Sequence, residues 1–114
     1  MPVSVSTHYK IEIQFQKGAA VAVPNNVVAN DGDTLEIFSN DGIFRAKFKP
    51  WPFAEPANPN NEVANSGSLT FKNDGPNDRP FELECYITPT GSNVEVAYAK
   101  GSGADGRVRP PGTS

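Results

Sequence analysis

The chain has 114 residues, with 10 Lys plus Arg against 13 Asp plus Glu (net charge −3), one cysteine and one histidine. A chain of this length is expected to form one domain burying roughly two thirds of its unfolded surface, so it needs neither a disulfide nor a metal to close a core. The mild acidity supplies no overall field for nucleic acid or an anionic membrane, and apolar runs such as residues 19–23 are too short to span a bilayer.

The opening MPVSVSTHYK lacks the apolar h-region of a signal peptide. The chain therefore reads as soluble, and as periplasmic or extracellular only if an export signal has been removed upstream. Residues 3–15 alternate, with Val3, Val5, Tyr9, Ile11, Ile13 and Phe15 apolar and His8, Lys10, Glu12 and Gln14 polar. That period of two predicts a half-buried strand with His8 on its outer face. Lys17-Gly18 ends it, and residues 19–28 predict a weaker strand broken at Pro24-Asn25-Asn26. Residues 30–33 (NDGD) are turn chemistry and 34–39 (TLEIFS) resume extended structure. Asn40-Asp41-Gly42 then predicts a hairpin into residues 43–49. There Phe44, Ala46 and Phe48 share one face and Arg45, Lys47 and Lys49 the other.

Residues 50–67 (PWPFAEPANPNNEVANSG) hold four prolines and a cluster of asparagines. So many breakers predict one long irregular connection, with at most a helical turn near residues 61–65. A short strand follows at 68–72 (SLTFK), then a polar loop at 73–80. Residues 81–88 (FELECYIT) predict an alternating strand with Phe81, Leu83 and Cys85 inward. After a turn at 89–93 comes a last strand at 94–100 (VEVAYAK), with Val94, Val96 and Tyr98 on one side. Residues 101–114 offer almost nothing to bury and are expected to be a disordered tail beyond a domain of residues 1–100. The fold class is all-β, an antiparallel sandwich or barrel with no convincing helix.

Two stretches carry a resemblance. NDGDTLEIFSNDG (residues 30–42) resembles the glycine-aspartate turn, third strand and Asn-containing turn of the cupredoxins, the small blue copper proteins. SGSLTFKNDGPNDRPFELECYITPTG (residues 66–91) is similar to that family's second half, where a strand rich in aromatics delivers a cysteine and a Pro-containing loop follows. The resemblance covers most of residues 3–100. It implies a Greek-key β-sandwich with residues 50–67 as the variable connection and the Cys85 strand antiparallel beside residues 43–49. It also implies copper held by two histidines, the cysteine and an axial methionine. The chain departs from that set. The first His position falls within residues 43–46, which read Ile-Phe-Arg-Ala; the second falls near Pro89-Thr90; and Met1 is the only methionine. A trigonal His₂Cys site cannot be assembled, so no metal and no cofactor are expected.

Cys85 reads either as a redox or relic metal thiol or as a small buried apolar side chain; Phe81, Leu83, Glu82 and Glu84 favour the second. Asp31-Gly32-Asp33 reads as a tight turn, since the rest of a calcium loop is missing. The row Arg45, Lys47 and Lys49, running into Trp51 and Phe53, is the candidate ligand or partner surface, able to grip an anionic sugar or polyanion by charge and stacking. The simpler reading pairs the row with Glu82 and Glu84 across the sheet and turns Trp51 and Phe53 into a lid over the core. With one outward histidine no catalytic constellation can be drawn. Three functions follow: a non-catalytic binding or scaffold module with a protein or a second copy as partner, a carbohydrate- or polyanion-binding module, and a noncanonical metal or thiol redox protein using Cys85.

Overall fold

The computed structural model describes residues 6–55, 61–64, 68–73, 77–98 and 104–110. Those residues form strands only: β1 (His8–Gln16), β2 (Ala19–Val23), β3 (Asn26–Asn30), β4 (Thr34–Phe38), β5 (Gly42–Lys49), β6 (Phe53–Glu55), β7 (Glu62–Ala64), β8 (Ser68–Phe71), β9 (Arg79–Pro89), β10 (Val96–Ala97) and β11 (Ala104–Arg109). One sheet runs β2-β1-β4-β8-β6 and the other β3-β11-β9-β5-β7, with β10 also beside β9. The sheets pack face to face as an all-β sandwich around Ile11, Ile13, Leu35, Ile37, Phe48, Phe71, Leu83 and Ile87, each at most 1 % exposed. Among the described residues no helix is long and apolar enough to cross a membrane.

The alternating segments become the inner strands as their patterns require. β1 buries Ile11 and Ile13 and leaves His8 exposed, β5 buries Phe44, Ala46 and Phe48, and β9 buries Phe81, Leu83 and Cys85. β1 turns into β2 through Lys17-Gly18, both at positive φ (51° and 78°), the backbone of a two-residue hairpin matched to strand twist. Two pairings are parallel, β1 with β4 and β3 with β11. The antiparallel expectation missed both, because each joins strands separated by a crossover between the sheets.

Four other expectations need correction. Asn40-Asp41-Gly42 is not a hairpin, since β4 lies in one sheet and β5 in the other. Asp41 Oδ2 accepts from the Phe15 amide at 2.8 Å and the Asp41 carbonyl accepts from the Thr90 amide at 2.8 Å, so the turn is tied to both sheets as it crosses. Residues 50–67 are not wholly irregular: they contribute β6 and β7, one at an edge of each sheet, the position where a proline-rich chain can still pair. β7 also occupies the stretch where a helical turn was expected; residues 56–60 and 65–67 lie outside the described residues. Within the described part of the 94–100 segment the strand is Val96–Ala97, with a parallel bridge from Tyr98 to Ala20 and Val94 66 % exposed, while residues 99–100 lie outside the described residues.

Finally, the expected tail contains β11, seated between β3 and β9. Its residues 101–103 and 111–114 lie outside the described residues. Ala104, Gly106 and Val108 face inward while Asp105, Arg107 and Arg109 face out. Gly106 is without a side chain where the Phe81 ring fills the space opposite it. A Cβ there would fall against Phe81 Cζ and the Val27 carbonyl oxygen, and 2.9 Å from Phe81 Cε1. Gly106→Ala is therefore expected to cost about 1–3 kcal/mol through overpacking against backbone on one side. Urea denaturation checks this, and an unchanged midpoint contradicts it.

Candidate binding face

β5 and β9 lie antiparallel in the register Lys49↔Glu82, Lys47↔Glu84 and Arg45↔Tyr86. The basic row thus faces the glutamate row on the outer surface of the second sheet. Arg45 holds Glu95 with both ends of its fork, Nε to Oε2 at 2.8 Å and Nη2 to Oε1 at 2.7 Å, and reaches Glu62 through Nη1 at 3.1 Å. Its guanidinium also lies 4.6 Å from the centroid of the Tyr86 ring. These hydrogen bonds raise the Arg45 pKa, and the same fork holds the Glu95 carboxyl below the usual range. Lys49 Nζ sits 3.3 Å from Glu84 Oε1, diagonally across the ladder, while Tyr98 donates its hydroxyl to Glu84 Oε2 at 2.9 Å. The Tyr98 bond first and Lys49 second lower the Glu84 pKa. Exposed pairs like these contribute roughly 0.2–1 kcal/mol each. Their larger effect here is that Arg45 and Lys49 are already engaged.

Trp51 and Phe53 do not join the row as a stacking platform. Phe53 is 6 % exposed, and Trp51 is half-buried with its ring edge-on to Phe48 at 5.7 Å and to Phe53 at 5.0 Å. Both pack against the core, as the lid reading expects. Arg79 crosses beneath this segment, donating Nη2 to the carbonyls of Trp51 (3.3 Å) and Lys72 (3.1 Å).

The cysteine and the histidine stand in different sheets. His8 is exposed on β1, its Nδ1 2.7 Å from Thr34 Oγ1 and its Nε2 3.5 Å from Glu36. Cys85 is fully buried opposite Ala46, and burial pushes its thiol up to about 11. At the positions where the resemblance implies imidazoles, Arg45 points out to its glutamates and Thr90 donates to the Asp41 carbonyl. Among the described residues no group of three or more His, Cys, Asp and Glu could hold a metal ion.

Two concavities among the described residues bear on a binding site. One, of about 370 Å³, lies at the end of the sandwich between the β4–β5 turn and the turn after β9, beside the exposed Ile43. The larger, about 440 Å³, is a groove on the outer face of the second sheet where β3, β11 and β9 meet the end of β5. Lys49 is the one residue of the predicted surface that lines it; Asn26, Val28, Asp105 and Arg107 come from β3 and β11. Reading residues 101–114 as a tail hid those last two. The available signal was the alternation of Asp105, Arg107 and Arg109 with Ala104, Gly106 and Val108. No family model matches the chain, and no curated protein matches it.

Proposed function

We propose that the protein is a non-catalytic, cupredoxin-like binding module of Greek-key type, without a type 1 copper site, and that it meets its partner on the outer face of the second sheet. The observation that carries this reading is the groove. At about 440 Å³ it lies within the size range of ligand sites, and charged groups of both signs line it. The cupredoxin-like part is supported by the cysteine-bearing β9 lying antiparallel beside β5, as the resemblance implies.

The test sets this reading against the metal and thiol alternative. Adding Cu(II) or Cu(I) is expected to give no new absorbance and no rise in melting temperature, since a ligand that binds only the folded state must stabilise it. A disulfide reagent is expected to label Cys85 only after denaturation. The pH dependence has a definite sign. The folded thiol is pushed from an ordinary 9.0 up to about 11, so as pH rises the unfolded chain loses this proton first. The contribution of Cys85 is fully present below pH 9 and declines between 9 and about 11. Cys85→Ala should lack that part of the decline. A copper-dependent thermal shift, or rapid labelling of the native thiol, would falsify the module reading.

A further inference from the structure

The groove has an internal charge pattern that identifies its occupant. Strand register places Lys49, Glu82, Asp105 and Asn26 directly opposite one another in a row across β5, β9, β11 and β3. The next row, two residues along, is Pro80, Arg107 and Val28. Lys49 leans away from the first row toward Glu84. Glu82 and Asp105 are thus adjacent carboxylates with no ion-pair partner among the described residues, and like charges directly opposite in a ladder repel. Arg107 likewise has no carboxylate partner among the described residues.

Resting on the module reading above, we propose that this groove binds an extended peptide segment of a partner protein in which an arginine and an acidic residue alternate, Arg-x-Glu. The arginine enters between Glu82 and Asp105. A guanidinium suits this place because its planar fork can donate to two carboxylates at once, whereas an ammonium acts as a point charge. Val28 (42 % exposed) and Pro80 flank Arg107 in the second row and give the peptide apolar surface to lie on. The acidic side chain meets Arg107. Asp105 and Arg107 are two residues apart on β11, roughly 6.6 Å, and alternate side chains of any extended peptide repeat at the same spacing. A peptide lying along β11 therefore puts opposite charges over both rows at once. A polyanion meets the reverse pattern, because the centre of the groove is negative.

The probe is acetyl-Ala-Arg-Ser-Glu-Ala-amide, titrated into the full chain with backbone amide shifts as the readout. Shifts are expected at the amides of residues 26–28, 81–82 and 105–107, fitting one site. The double variant Glu82→Gln with Asp105→Asn should bind at least tenfold more weakly, about the size of one charge-assisted hydrogen bond. The same peptide with arginine and glutamate adjacent rather than alternating should bind more weakly than the probe, a preference that Arg107→Gln should erase. Retained affinity in the double variant overturns the proposal, as do shifts mapping to the other sheet. So does the absence of any shift at millimolar peptide, an outcome that leaves the copper and thiol tests of the module reading standing on their own. Shifts at the same amides from a heparin oligosaccharide, with none from the peptide, transfer the groove to the polyanion alternative.

Discussion

Phe48→Ala should lower stability by about 3–5 kcal/mol, the range for removing a buried aromatic ring from a packed core. Phe48 is fully buried on β5 and its ring is a hub, edge-on to Trp51 at 5.7 Å and to Phe53 at 4.9 Å, and tilted against Phe81 at 5.8 Å. Phe53 in turn packs on Phe71 at 4.7 Å, and Phe71 on Phe81 at 5.9 Å. The rings come from β5 and β9 of one sheet and from β6 and β8 of the other, so the cluster is where the two layers are pinned together. A single domain has about 5–15 kcal/mol in all, so the variant sits near the edge of folding. With a slope of about 2 kcal/mol per molar, the urea midpoint falls by roughly 2 M. Phe48→Leu keeps most of the volume and is expected to lose less than half as much. A loss below about 1 kcal/mol for the alanine variant would mean the cluster closes around the gap or was never tightly packed.

Asp33→Ala is expected to cost roughly 3 kcal/mol by a different route, the orphaning of backbone donors. Asp33 is only 3 % exposed; its Oδ1 accepts from the Thr7 amide at 2.9 Å and its Oδ2 from the Asn30 amide at 2.8 Å. Its own carbonyl accepts from the Phe71 amide at 2.8 Å. Next to it Asp31 Oδ1 accepts from the Asn73 amide at 2.9 Å, and the buried Asn73 side chain donates to the carbonyls of Asn77 and Val108. The β3–β4 turn, the start of β1, the end of β8 and the end of β11 all meet at this polar node. Asp33→Asn keeps the shape but presents an N–H toward one of the two amides, so it should fall between the parent and the alanine variant. Equilibrium unfolding at neutral pH checks both. A change within about 0.5 kcal/mol for Asp33→Ala would show that water replaces the carboxylate at no cost.

The strands that were legible in the sequence are those whose inward residues are large. β1, β4, β5 and β9 carry mostly Ile, Leu and Phe at their inward positions, with Ala46 and Cys85 between them, and a period of two written largely in big side chains can be read without knowing what it packs against. β11 obeys the same period in Ala104, Gly106 and Val108, but its centre is a glycine because Phe81 occupies the space there, and that fact belongs to a strand more than twenty residues away. β6 and β7 were hidden by the prolines and asparagines that surround them, which argue against central strands but leave room for short ones at an edge. The predicted surface was legible as chemistry and less so as a site. Its cross-strand pairing with the glutamate row followed from parity, whereas Glu62 and Glu95, the carboxylates that actually hold Arg45, are reached only through the folded course of the chain. The groove drew on a strand that had been read as tail, so Lys49 and Glu82 were legible while Asp105 and Arg107 were not.

One hydrogen bond joins the two sheets at an edge of the second. Tyr9, on β1 of one sheet, donates its hydroxyl at 2.8 Å to the carbonyl of Val28, on the outermost strand of the other. A neighbouring molecule that tried to extend the sheet from β3 would need that carbonyl and would first have to displace the phenol. One aromatic side chain thus serves two ends: it latches the layers to each other, and it occupies one backbone acceptor on an edge where an added strand would pair.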